Sequence, residues 1–163
     1  MEADAIIRSL GLLPHPEGGH YVEVFRARLQ VRSAVHDSAR RASTAIYFLL
    51  RAGEFSAWHH VRCDEAWHFY RGDPLELFTL DAEAGLRRAV LGPDLERGER
   101  PLFVVGAGLL QAARVTPGGR SGYALMGCTV APGFEFDDFE LPPRSELLER
   151  FPEHAAVLGE LSR

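Results

Sequence analysis

Glycine and proline cut the middle of this chain into pieces too short for long helices. Gly53, Gly72, Gly85, Gly92, Gly98, Gly106 with Gly108, Gly118 with Gly119, and Pro132 with Gly133 separate runs rich in β-branched and aromatic residues. The runs span residues 21–26, 44–50, 55–61, 65–70, 74–81, 86–91, 102–105, 109–115 and 123–130. Those at 21–26 and 74–81 alternate apolar and polar residues, the period of a half-buried strand. Eight to ten short strands with turn signals at this interval predict an all-β sandwich or barrel. Helical periodicity is confined to the ends. Residues 2–10 place Ala5, Ile6 and Leu10 on one face, with Gly11 as the stop. After Pro142-Pro143, residues 145–150 read as a capped helix and 155–161 as another.

The 163 residues suffice for one domain that buries about 70% of its unfolded surface, so the chain is read as a single domain. Its barrel core is set at about 20–140, with terminal helices at 2–10 and 144–162. A net charge of −5 offers no electrostatic footprint for nucleic acid or an anionic membrane. No apolar run approaches the roughly 20 residues of a membrane span. All 18 basic residues are Arg, and the absence of Lys excludes a Schiff-base lysine and the Walker A phosphate loop. Cys63 and Cys128 have no metal-ligand spacing in sequence. The first residues are acidic where a secretion signal is basic, so reduced thiols in a cytoplasmic protein are expected.

The stretch that carries chemistry is Gly53-Glu-Phe-Ser-Ala-Trp-His59-His60-Val61-Arg-Cys-Asp-Glu65-Ala-Trp-His-Phe-Tyr-Arg-Gly72. Period-two alternation puts positions 59 and 61 on one strand face and His60 on the other. A turn at 62–64 returns the chain so that Glu65 faces the same interior as His59, with Trp67 and Phe69 in phase as an aromatic wall.

This stretch resembles the first motif of the cupin superfamily, Gly-x5-His-x-His-x3-Glu-x6-Gly. Gly53, His59, Glu65 and Gly72 are in register, and Val61 stands where the second His is expected. The second motif, Pro-x-Gly-x2-His, is matched by Gly106-Ala-Gly108-Leu-Leu-Gln111, with Gln in place of His. A narrower resemblance covers nearly the whole chain. Leu10-Gly-Leu-Leu-Pro-His-Pro-Glu-Gly-Gly19, Ser43-Thr-Ala-Ile-Tyr-Phe-Leu-Leu50, Cys63-Asp-Glu-Ala-Trp-His-Phe-Tyr-Arg-Gly72 and Gly127-Cys-Thr-Val-Ala-Pro-Gly-Phe-Glu-Phe-Asp-Asp-Phe139 together resemble the cupin-5 (DUF985) family. The resemblance implies an all-β cupin jelly-roll barrel, similar to that of the dTDP-sugar epimerases and paired as a homodimer. It implies no settled reaction, because the barrel carries many.

His59, Glu65 and Tyr47 are the catalytic candidates, and Trp67, Phe69, Gln111 and His68 the ligand-binding ones. His59, Glu65 and Gln111 are the metal candidates, for a divalent ion such as Mn, Ni, Fe or Zn with water completing the shell. Tyr47 is equally a core residue of an apolar strand. His68 alternates outward with His60 unless a β-bulge reverses it. His15, Glu17, Gly18 and Gly19 either fold over the barrel mouth or an interface or serve turn chemistry alone. His20, His36 and His154 are read as solvated, Cys128 as a small buried hydrophobe, and Phe134, Phe136 and Phe139 as packing for a closing strand or dimer contact. Three functions stay open. The chain is a proton-moving enzyme on a polar, sugar-like small molecule, a non-catalytic metabolite-binding cupin, or an open-site metalloenzyme. A small-molecule ligand and a homodimer are the expected partners, without nucleic acid or membrane.

Overall fold

The structure is a computed structural model that describes residues 2–33, 36 and 38–163. After helix α1 (Glu2–Leu10) come strands β1 (Leu13–Pro14), β2 (His20–Arg26), β3 (Gln30–Ser33), β4 (Ser38–Arg41), β5 (Thr44–Arg51), β6 (Phe55–Val61) and β7 (Asp64–Gly72). They are followed by β8 (Leu75–Asp81), β9 (Gly85–Leu91), β10 (Leu102–Val105), β11 (Leu110–Val115) and β12 (Tyr123–Ala131). A 3-10 turn (Phe136–Asp138), β13 (Phe139–Glu140), α2 (Arg144–Arg150) and α3 (Ala155–Glu160) complete the order.

The strands form two antiparallel sheets of jelly-roll type. One runs β1-β2-β5-β12-β7-β10 and the other β13-β6-β11-β8-β9, with β3-β4 as a separate hairpin. Every run expected to be a strand is one. The short β1 and β13 and the hairpin β3-β4 were not foreseen. Gln-Val-Arg-Ser and Ser-Ala-Arg-Arg carry no alternating apolar signal, so their pairing rests on backbone hydrogen bonds within the hairpin.

Apolar residues of the two sheets meet in one interior built on Phe48, Trp67, Leu75, Leu77, Met126 and neighbours. Fully burying each such side chain contributes about 1.5–3 kcal/mol. Trp58 points from β6 the other way, onto Leu147, Phe151 and Leu158, so the C-terminal helices cover the outside of the second sheet. On the first sheet, α1 packs Ala3, Ile6, Ile7 and Leu10 against Leu12, Leu49 and Tyr123. Ala5, expected on that buried face, is exposed because the apolar stripe runs through Ala3 and Ile7 instead. Helix α2 has Pro143 as its N-cap residue and makes no side-chain cap bond, so Ser145 lies within the first turn and does not cap it. No helix among the described residues is long and apolar enough to cross a membrane.

Candidate active site

Strand β6 is irregular where the chemistry lies. Against β11, Gln111 pairs with His59 and Ala113 with Ser56, so β6 spends one residue more than its partner over that interval. Such a bulge re-aims side chains. Here Ser56 and His59 reach one common partner, whereas strict alternation would separate them. Val61 lines the same cavity as His59, and His60 turns outward to Glu140, 3.3 Å away.

The common partner is Glu17. The Ser56 hydroxyl donates to Glu17 Oε1 at 2.8 Å, and His59 Nε2 lies 3.3 Å from Oε2. The Glu17 carbonyl accepts the Ala57 N–H at 2.8 Å, which docks the 15–19 loop on the bulge. Gly18 (φ 120°) makes that docking possible, because a Cβ there would overlap the Phe55 carbonyl oxygen. Of the two readings of this loop, it takes the one that covers the barrel interior. His15 follows it in, with Nδ1 3.4 Å from Glu17 Oε2 and its ring edge-on to Tyr21. The sequence pointed to Glu17 only as part of a loop that could cover the barrel mouth, with no chemical role, and did not point to Ser56. The available signal was the Glu-Gly-Gly triplet, since adjacent glycines permit a close backbone approach.

Glu65 enters from β7 in the opposite sheet. Gln111 Nε2 donates to Glu65 Oε2 at 2.6 Å, and Gln111 Oε1 accepts the Trp67 indole N–H at 3.0 Å. Gln111 therefore bridges the sheets as a positioning residue behind Glu65, and Trp67 holds Gln111 while lining the cavity.

Protonation follows from these contacts. His59 Nδ1 lies 2.7 Å from the Ala57 carbonyl, which can only accept, so Nδ1 carries the proton and Nε2 presents its lone pair to Glu17. Burial lowers the His59 pKa against the opposing pull of Glu65. Burial raises Glu17 to about 8, with the Ser56 hydrogen bond acting against it. Glu65 is raised to about 7, chiefly by burial and further by Glu17, while His59 and Gln111 pull it down. Burial and the His59 charge lower His15 to about 4. Near neutral pH the center is thus a neutral imidazole with a protonated Glu17 on one side and a half-ionised Glu65 on the other. Paired carboxyls poised near 7 beside an imidazole are equipped for general acid–base work.

These groups face a cavity of about 310 Å³. Tyr21, Phe48, Trp67, Phe134, Phe136 and Phe139 supply aromatic walls, and Arg26 sits among Glu23 and Glu135 at the rim. The three phenylalanines of the closing segment line the cavity, beyond the packing role expected of them, with Phe136 half exposed at its edge.

Other candidates lie elsewhere. Tyr47 is on the outer face of β5, packed toward α1 with its ring 6.0 Å from Tyr70, since Ile46 and Phe48 take the inward positions. Phe69 packs into the apolar core and not on the cavity wall. His68 stays outward, 3.2 Å from the Thr129 hydroxyl. The register shift in β7 comes after Phe69, too late to turn His68 inward. His36, expected in solvent, has a side chain only 1% exposed. Cys128 is buried beside Glu65, in keeping with a small interior residue.

A divalent ion held by His59, Glu65 and Gln111 does not fit this arrangement. Gln111 turns its NH2 toward Glu65 and its oxygen toward the Trp67 N–H, so its ligating atom does not point at the Glu65 carboxylate, and Val61 offers no donor. Among the described residues the close three-donor convergence falls at His36, Cys63 and Asp138, outside this center.

Comparison with known proteins agrees with this architecture. A hypothetical protein from Leishmania major superposes with a TM-score of 0.92 at 35% identity, covering 98% of each chain. A protein from Shewanella oneidensis gives 0.89 at 40% identity, covering 99% of this chain and 97% of its own. Oxalate decarboxylase from Bacillus subtilis, an enzyme with Mn(II) centers, shares the fold alone at 15% identity and a TM-score of 0.56, over 91% of this chain and 36% of that one. No curated protein matches the chain. The family model described as cupin superfamily (DUF985) matches residues 4–142, and with two full-length relatives above 30% identity the chain belongs to that family.

Proposed function

We propose that this cupin binds a compact, polar, ring-shaped small molecule inside the barrel and moves a proton on it, as in an epimerisation or isomerisation. The observation that carries the reading is the Glu17–His59–Glu65 center, with Glu17 3.3 Å from an imidazole whose other nitrogen is already committed. A cavity of about 310 Å³ lies at the small end of ligand sites and suits a ligand of monosaccharide or single-ring size. Ionised Glu65 is the proton acceptor, held by Gln111. Protonated Glu17 is the proton donor, and neutral His59, its Nδ1–H held by the Ala57 carbonyl, positions that carboxyl through Nε2 together with Ser56. The aromatic walls exclude water and stack on the ring.

Solvent exchange tests this directly. The untagged protein is incubated in deuterated buffer with a panel of hexoses, their nucleotide conjugates and cyclic hydroxy acids, and carbon-bound deuterium is read by NMR. Incorporation that is lost in Glu65→Gln and His59→Ala is the expected result. Saturable binding with no exchange across the panel would favor the second reading, a non-catalytic binding cupin. That reading is supported by Val61 and by the engaged Gln111, which leave two of the four usual ligand positions without a free donor.

The homodimer belongs to this proposal as well. Val24, Tyr70, Leu102 and Val104 are large apolar residues about half exposed, on strands of the β1-β2-β5-β12-β7-β10 sheet. Strand β10 is the open edge of that sheet, the kind of edge that pairing covers. Light scattering at micromolar concentration should give twice the chain mass, and Val104→Arg should shift it toward the monomer. A wild-type monomer would overturn the expectation.

A further inference from the structure

Outside the barrel center, three buried donors from separate elements meet. His36 comes from the connection between β3 and β4, Cys63 from the turn between β6 and β7, and Asp138 from the 3-10 turn. Cys63 Sγ lies 3.5 Å from His36 Nε2, Asp138 Oδ2 lies 3.4 Å from the same nitrogen, and all three donor atoms fall within 4.8 Å of one another. The side chains of His36 and Asp138 are 1% and 2% exposed, and Cys63 is 3% exposed.

We infer that His36, Cys63 and Asp138 form a binding site for a zinc-like divalent transition metal that pins the closing segment of the barrel mouth to the β3-β4 hairpin. The separations carry the assignment. Tetrahedral zinc with bonds of about 2.3 Å to sulfur and about 2.0–2.1 Å to nitrogen and oxygen sets its ligand atoms roughly 3.3–3.6 Å apart. The two distances from Nε2 fall within that range. A catalytic-triad reading is excluded by the same geometry, because thiol and carboxylate both address Nε2 and neither reaches Nδ1.

The surroundings are those of a supported metal ligand set. The Ser33 hydroxyl lies 2.7 Å from His36 Nδ1, which orients the ring and leaves Nε2 to the ion. Arg40 contacts Asp138 through NH2 to Oδ1 at 3.1 Å and through Nε to Oδ2 at 3.3 Å. With a metal on Oδ2, the Oδ1 contact persists and fixes the carboxylate. Thiolate and carboxylate cancel the charge of a divalent ion, and Arg40 keeps its contact to the Asp138 carboxylate. A water completes the four-coordinate shell. The thiolate and imidazole donors favor zinc or cobalt over manganese, magnesium or calcium. Asp138 lies between Phe136 and Phe139 of the cavity wall, so the ion would brace that wall, but the site stands on its own residues and not on the reaction proposed above.

The test is a cobalt(II) titration of the full untagged chain under reducing conditions. A thiolate-to-cobalt charge-transfer band that saturates at about one ion per chain, and that zinc abolishes, is expected. Cys63→Ser should remove the band, Cys128→Ser should keep it, and His36→Ala should weaken cobalt binding by about tenfold or more. No band in the wild-type protein, or a band that survives Cys63→Ser, would overturn the proposal. His36→Ala lies in a hairpin connection and leaves both thiols in place, so it decides the matter even if Cys63→Ser fails to fold. Unchanged affinity in that variant counts against the site.

Discussion

Glu17 Oε2 and His59 Nε2 face each other at 3.3 Å across the barrel interior, and only one proton lies between them. With His59 Nδ1 bonded to the Ala57 carbonyl at 2.7 Å, that proton resides on Glu17. Long-range proton–nitrogen NMR correlations should therefore show His59 as the neutral Nδ1–H tautomer between about pH 6 and 8. Titration of His59 to the imidazolium near its usual pKa of about 6.5 would contradict this arrangement.

Stability should fall as pH rises from about 6.5 to 8. Glu17 and Glu65 have folded pKa values raised to about 8 and about 7. Each holds its proton in the native state after the unfolded chain has released it, so each contribution is complete below the unfolded pKa and is lost as pH climbs to the folded value. His15 and His59 are shifted down and act in the opposite direction, but only below about pH 6.5. Above it the carboxyls act alone, at up to about 1.4 kcal/mol per pH unit for each group. Denaturant melts at pH 6.5 and 8 should differ by about 2 kcal/mol, and Glu17→Gln should flatten most of the slope.

Gln111→Leu should destabilise the protein by about 2–4 kcal/mol, since it strips a donor from Glu65 and an acceptor from the buried Trp67 indole. Removing the Gln111 hydrogen bond also raises the Glu65 pKa further. A chemical melt followed by tryptophan fluorescence reads the loss, and a shift of the deuterium-exchange profile to higher pH reads the second effect. Gln111→Glu should fail on both counts, because a third buried carboxyl cannot donate when ionised.

Gly18→Ala should pull the 15–19 loop off β6. Its φ of 120° and the Phe55 carbonyl leave no room for a methyl group, so Glu17 cannot reach Ser56 and His59 together. A cost of about 1–3 kcal/mol is expected from the backbone strain, together with return of the His59 pKa toward the solvent value. Gly53→Ala shares the strained positive φ (87°) but has open space around it, so it should cost stability yet leave His59 unchanged.

The strand positions and the common inward facing of His59 and Glu65 were legible in the residues because both are local. Glycine and proline punctuation sets where strands stop, and period-two alternation sets which face each side chain takes. Tyr47 shows how thin that margin is. Its strand was legible, but both faces of β5 are covered, one by the barrel core and the other by α1, so composition could not say which face held the ring.

The rest depended on distance in space. Glu17 lies 39 residues before Ser56, and only the docking of a glycine-hinged loop on a bulged strand brings the two together. The Gln111 oxygen, read as a free ligand, is occupied by Trp67 across the opposite sheet. His36, Cys63 and Asp138 share no motif, because their approach is set by how a polar hairpin folds over the barrel edge. Alternation and turn chemistry determine elements one at a time. Burial, protonation and the convergence of donors arise from the packing of one element on another, and that packing is decided only when the sheets close.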